Sequence, residues 1–342
     1  MITNDLDYIF DSIHTQIGEL KNKSIFITGG TGFFGEWIVR SLLHFNEKLD
    51  LNIKIGLLTR NISKYILNHS NLYWDNPNID LFQGDISDFT FPEKKYDYII
   101  HGASTSSIEK FNGAESISRF LILSDGTKHL LDYAVNCNVE KFLLISSGSV
   151  YGKQNVKKID ESYNCSLSTT DVNSCYGEGK RIAELLCSMY AQRYNFELKI
   201  MRCFSFVGPY MPLDIHFAIG NFIKDAIYNK KITIKGDGNQ MRSYMYMSDF
   251  IIWLWTIFFS GKSNVLYNVG SDESISMKDL ALKIVGMLNN VSLEILDQVG
   301  ICDTVDRYVP SIERAKKDLN LGITLDLSLA LEKTISFVKR NV

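Results

Sequence analysis

The chain has 342 residues, 45% of them hydrophobic, and a formal net charge of -3. That fits a soluble globular protein of one large or two modest domains, and leaves no basic footprint for nucleic acid. The six cysteines (Cys137, Cys165, Cys175, Cys187, Cys203 and Cys302) form no C-x-x-C pair. Neither a metal site nor a disulfide framework is expected, and a reducing cytoplasm is the expected setting.

Residues 1–23 read as an amphipathic helix, with Leu6, Ile9, Phe10, Ile13, Ile17 and Leu20 on one face. The segment lacks the continuous apolar stretch of a signal peptide. Strands then alternate with helices: "SIFITGG", "FGEWIVRSLLHF", "NIKIGLLTR", "SKYILNH", "IDLFQGD", "YDYIIHGAS", "GTKHLLDYAVNCN", "KFLLISSGS", "GKRIAELLCSMYAQRYN" and "ELKIMRCFS". Several strands are apolar throughout, as in a parallel sheet covered on both faces. The expected fold is α/β, a Rossmann-type doubly wound parallel sheet over residues 24–204, completed by 244–268. Past residue 205 the rhythm loosens, with short strands "NVLYNVGS" and "VSLEILD". Residues 205–243 and 269–342 are assigned to a smaller α/β substrate region. "FIIWLWTIFF" (250–259) is too short to span a bilayer and reads as a buried helix, so no membrane association is expected.

Between the first strand and its helix stand Gly29, Gly32 and Gly35, spaced G-x-x-G-x-x-G. Glycine permits a tight turn and close approach of a ligand. The helix N-terminus then offers free N–H groups to a pyrophosphate, which makes this a candidate dinucleotide site. Phe33 and Phe34, inside the turn, read as cofactor neighbours or as packing residues. The second strand ends at Thr59-Arg60-Asn61, with no carboxylate for a ribose 2′-OH. Arg60 instead favours a 2′-phosphate, hence NADP over NAD. A solvated surface arginine is the other reading. Asp85 and Ile86, in "GDIS", and Ala103, in "HGAS", are further candidate cofactor contacts.

"SCYGEGKR" sets Tyr176 and Lys180 four residues apart on one helical face. An ammonium beside a phenol favours the phenolate, which equips tyrosine as a general acid or base. "LISSGSVYG" ends a strand with Ser146 and Ser147, and a serine there can bond the same substrate oxygen.

These motifs, with "RCFSFVGP", "GDGNQMRSYMYMSD" and "YNVG" in order, resemble the extended short-chain dehydrogenase/reductases of the NAD(P)-dependent nucleotide-sugar epimerase/dehydratase superfamily, over residues 22–322. The resemblance implies that Ser147, Tyr176 and Lys180 form a catalytic triad. Tyr176 would take a proton from a sugar hydroxyl while hydride passes to the nicotinamide, and Lys180 would also bond the nicotinamide ribose. Gly29, Gly32 and Gly35 would hold the cofactor phosphates. Arg242 and Arg307 would meet the substrate diphosphate, where their alternative is an ordinary salt bridge. Ser205 and Asn221 are further substrate candidates. A homodimer through the helices that carry "HLLDYAVNCN" and "IAELLCSMYAQRY" is implied as well.

The departures bear on the reaction. Where the 4,6-dehydratase branch carries an Asp-Glu pair, this chain has Gly148 and Ser149. The missing glutamate also disfavours the branch that decarboxylates sugar uronates. Leu123 and Ser205 stand where relatives often carry asparagine. The expected activity is therefore epimerisation of a nucleotide-diphosphate sugar at C4 through a 4-keto intermediate. The alternatives are a 4-keto-sugar reductase or 4-dehydrogenase and, in another class, a non-catalytic NAD(P) sensor.

Overall fold

The computed structural model describes residues 2–68, 76–104, 116–164, 167–213, 217–296 and 305–341. Cys165 and Cys302 fall outside these; the other four cysteines are free thiols. The chain opens with α1 (Ile2–Ile17), then β1 (Ser24–Thr28), α2 (Phe33–Leu49), β2 (Lys54–Thr59), β3 (Ile79–Gln83) and β4 (Tyr98–His101). Next come α3 (Ser116–Cys137), β5 (Lys141–Ser147), α4 (Cys175–Tyr194), β6 (Glu197–Cys203), α5 (Met247–Ser260) and β7 (Val265–Val269). The seven strands form one sheet in the order β7-β6-β5-β4-β1-β2-β3, every pair parallel. This is the doubly wound fold expected from the alternation of apolar runs and helical stripes. The order reverses between β1 and β4, so a crevice opens there at the carboxyl ends of the strands.

One sheet face packs on α1, α2 and α5, the other on α3 and α4. α1 buries Leu6, Ile9, Ile13 and Ile17, each contributing about 1.5–3 kcal/mol by leaving water. Its Asp5 is also buried, accepting from Tyr246 Oη at 2.8 Å and paired with Lys333. α5 is buried on every side from Met247 to Phe259, which explains its unbroken hydrophobicity. Its two indoles are still satisfied: Trp253 Nε1 donates to Gly322 O and Trp255 Nε1 to Ser41 Oγ, both at 3.0 Å.

The remaining pieces are short. Met241–Arg242 lies between Ile275–Ser276, antiparallel to it, and Arg307–Tyr308, parallel to it. Lys231–Ile234 pairs with Ser292–Ile295 over a separate apolar cluster. Of these pieces, Arg242, Arg307 and Tyr308 line the crevice.

Candidate active site

The glycine turn is built by close approach. Gly29 has φ +73°, and a Cβ there would meet Gly102 C at 2.5 Å. A Cβ on Gly35 would meet Gly29 O at 2.3 Å, so α2 leaves the strand too tightly for any side chain. Gly32 differs: its nearest neighbour would be 3.4 Å away, and it is exposed at the N-cap of α2. Among the described residues, only Gly29 O lies within 4 Å of a Cβ placed there. The shape suits a dinucleotide pyrophosphate, held by the unpaired amides of the first turn of α2. Phe34 stacks on Phe250 with ring centres 4.5 Å apart and meets Phe206 edge-on. Phe33 packs against Phe34, and Phe34 also lines the cavity described below.

Beside the turn runs a buried hydrogen-bond chain. Ala103 N donates to Thr28 Oγ1 (3.2 Å), which lies 2.8 Å from His101 Nδ1. His101 Nε2 lies 3.0 Å from Thr127 Oγ1, which donates to Leu123 O (2.6 Å). Thr127 has spent its proton, so Nε2 carries the hydrogen and Nδ1 accepts from Thr28. Burial, helped by the Lys180 charge, lowers the His101 pKa to about 3. A neutral imidazole thus ties the glycine turn to α3. Asp85 accepts from Ser87 N at 3.0 Å, and Ile86 is buried against Gly126. Arg60 is exposed at the end of β2.

A cavity of about 1120 Å³ occupies the crevice, lined by Phe34, Ser147, Tyr176, Lys180, Ser205, Arg242 and Arg307 among others. Thus Ser147, Tyr176 and Lys180, the triad that the resemblance implies, share one cavity with three of the substrate candidates. Lys180 is buried and donates to Ile145 O at 2.9 Å. The two strand-end serines have separate tasks. Ser146 Oγ donates to Glu184 Oε1 at 2.6 Å, and Glu184 is clamped by Arg202 at 3.0 and 2.7 Å. Ser147, which lines the cavity together with Ser146, accepts from Ser149 Oγ at 2.9 Å, with Tyr308 Oη 3.4 Å away.

On the opposite wall Arg242 pairs with Asp306 at 2.6 Å. Asn221 lies on the helix Ala218–Lys224 and does not line this cavity. Among the lining residues to which sequence reasoning gave no site role are Ser149, Tyr308 and Arg119. Tyr308 packs on Phe204 (4.7 Å between ring centres), and burial raises its phenol above the ordinary range, keeping the proton on oxygen. Its position beside Arg307 was the available signal.

The model of the "NAD dependent epimerase/dehydratase family" matches residues 25–270. The chain belongs to that family. It is accordingly an enzyme of an NAD-dependent kind. It is 30% identical over 305 residues to UDP-glucuronic acid decarboxylase 6 of Arabidopsis thaliana, covering 87% of this chain and 84% of that one. In fold it is similar to Pal from Bacillus thuringiensis (TM-score 0.77, 25% identity, 93% of this chain and 100% of that one). It is also similar to a UDP-glucuronic acid 4-epimerase from Bacillus cereus, solved with UDP-glucuronic acid and NAD (TM-score 0.78, 23% identity, 93% and 100%). The relative is a decarboxylase, whereas the missing glutamate led the sequence to be read away from that branch; the likeness supports the family's shared nucleotide-sugar chemistry without fixing the product. No group of three or more His, Cys, Asp or Glu among the described residues could hold a metal ion. No helix among them is long and apolar enough to cross a membrane.

Proposed function

We propose that the enzyme binds a uridine-diphosphate sugar, oxidises it at C4 and returns the hydride to the other face, as a C4 epimerase with retained cofactor. One observation carries the reading: Tyr176 and Ser147 open on the same cavity as Lys180, while Gly148 and Ser149 bring no carboxylate to it. The residues therefore serve oxidation and reduction better than elimination, which needs a further acid and base. Tyr176 takes the C4 hydroxyl proton, and Ser147 bonds the same oxygen. Lys180 spends one N–H on Ile145 O and keeps two for ribose hydroxyls. Bound NAD would take up and give back the hydride. Arg242 and Arg307 hold the diphosphate through charge-assisted bonds. The uridine assignment leans on the substrates in the relatives' names.

Arg60 favours a second reading, a reductase that uses NADPH as a cosubstrate. The decarboxylase relative favours a third outcome from the same ketone: a sugar with a carboxylate at C5 becomes a β-keto acid on C4 oxidation and loses carbon dioxide. We also propose a homodimer through α3 and α4, whose outer faces expose Ile117 (68%), Leu185 (56%) and Met189 (57%).

Mass spectrometry of the small molecules released on denaturing fresh protein separates the first two readings. Near-stoichiometric NAD supports the epimerase, whereas an empty protein that turns over only with added NADPH overturns it. Product analysis with UDP-sugars separates epimer from pentose.

A further inference from the structure

We infer that Arg119 reads a negative charge carried by the sugar, so that the enzyme prefers nucleotide sugars whose hexose bears a carboxylate. The inference rests on the UDP-sugar reading above. Arg119 stands in the first turn of α3 and lines the main cavity. Its Nε is buried with no hydrogen-bond partner among the described residues. Other guanidinium groups are matched within the fold: Arg40 by Glu36, Arg202 by Glu184, Arg242 by Asp306. A buried N–H left without an acceptor is costly, and an acceptor that arrives with the substrate removes the cost.

The place of Arg119 says which part of the substrate brings that acceptor. α3 and α4 follow neighbouring parallel strands and run side by side in one direction. A Cβ on Gly179 would meet Leu123 Cδ1 at 2.7 Å, so these two positions are level. One turn earlier on each helix, Arg119 is level with Cys175 and Tyr176. The sugar ring has to lie there for Tyr176 to take its proton. Phosphates have other stations, at the amide end of α2 and at Arg242 with Arg307. Among the described residues, the cavity lining carries five cationic side chains and two carboxylates, Asp171 and Asp306. Both acids are engaged, Asp306 by Arg242 and Asp171 by the backbone N–H of Asn173. The planar fork of Arg119 matches a carboxylate in two bonds.

The test titrates UDP, UDP-glucose and UDP-glucuronic acid into the NAD-loaded protein by calorimetry. The two sugars differ at C6, hydroxymethyl against carboxylate. Wild type should prefer the glucuronate by about 10- to 100-fold, the range of a charge-assisted pair. Arg119→Gln should bring the two affinities within about threefold, with UDP and NAD binding unchanged, and Arg119→Lys should keep part of the preference, because its charge survives without the fork. An unaltered preference in Arg119→Gln overturns the inference. So does loss of NAD affinity, which would put the anion on the cofactor. UDP binding without any preference in wild type overturns it too, and leaves the UDP-sugar reading standing. Failure of UDP itself to bind removes both.

Discussion

At the glycine turn, positions are set by atoms that leave no room: Gly29 against Gly102, Gly35 against Gly29 O. Across the cavity, Arg242 and Arg307 stand on two-residue strands and are set by charge and backbone pairing, with Asp306 exposed beside them. The first wall is a continuation of the core and tolerates almost nothing. The second is assembled from loops, and can change its ligand without changing the fold. Between them lies Tyr176, on a helix that starts at the cavity rim.

The largest effect should come from that junction. Tyr176→Phe removes the proton-transfer group and should lower kcat on the order of 10²- to 10⁴-fold. Retained cofactor should be unchanged, because the ring stays and only the hydroxyl goes. Normal turnover in this variant would sink the catalytic assignment. Next comes a pair of substitutions inside the turn. Gly35→Ala forces a Cβ onto backbone and should cost about 1–3 kcal/mol or more in denaturant unfolding. Gly32→Ala meets nothing closer than 3.4 Å, so its stability cost should stay below about 1 kcal/mol while retained NAD falls sharply. Equal stability losses in the two would erase the distinction between a glycine needed by the fold and one needed by a ligand.

The first wall was legible in the sequence for a physical reason. Strand, glycine turn and helix are local, and their spacing carries the geometry. Ser147, Tyr176 and Lys180 were legible too, because a strand end and a four-residue step on a helix both point in fixed directions. Which of Ser146 and Ser147 keeps its hydroxyl for a ligand was less so, since that depends on Glu184, 38 residues away, which takes up Ser146. Tyr308 and Arg119 were passed over for a similar reason. A lone tyrosine or arginine has no pattern of its own, and only the folded chain brings Tyr308 Oη to 3.4 Å from Ser147. The short strands at 241–242 and 307–308 lie below the length at which alternation can be read.

His101 tests the first wall by pH. Burial, with the Lys180 charge second, lowers its pKa to about 3, while an unfolded histidine titrates near 6.5. Between those values the unfolded chain holds the extra proton, so protonation favours unfolding. Stability from this residue is present above about pH 6.5 and is lost as pH falls through that value toward 3, at about 1.4 kcal/mol per pH unit. From pH 6.5 to 5 the loss should be about 2 kcal/mol, and His101→Gln should flatten that part of the profile. Identical slopes for wild type and variant would mean that the chain from Ala103 to Leu123 does not hold the imidazole neutral.

The charged wall should respond differently, in affinity and hardly in stability. Arg242→Ala should weaken UDP binding by about tenfold, the loss of one charge-assisted contact. The effect of Asp306→Asn is smaller and has the opposite sign. The Arg242–Asp306 pair is partly exposed, at 27% and 62% for the two side chains, so breaking it should shift unfolding by less than about 1 kcal/mol. Asp306 also competes with a diphosphate for the same guanidinium, and its negative charge repels the incoming phosphates. Its neutralisation should therefore tighten UDP binding a few-fold, most at low ionic strength, where charges are least screened. Calorimetric titration of UDP at two salt concentrations reads both variants. Weaker UDP binding in Asp306→Asn would mean that the carboxylate positions Arg242 for the phosphates, and this wall would then depend on fixed geometry much as the glycine turn does.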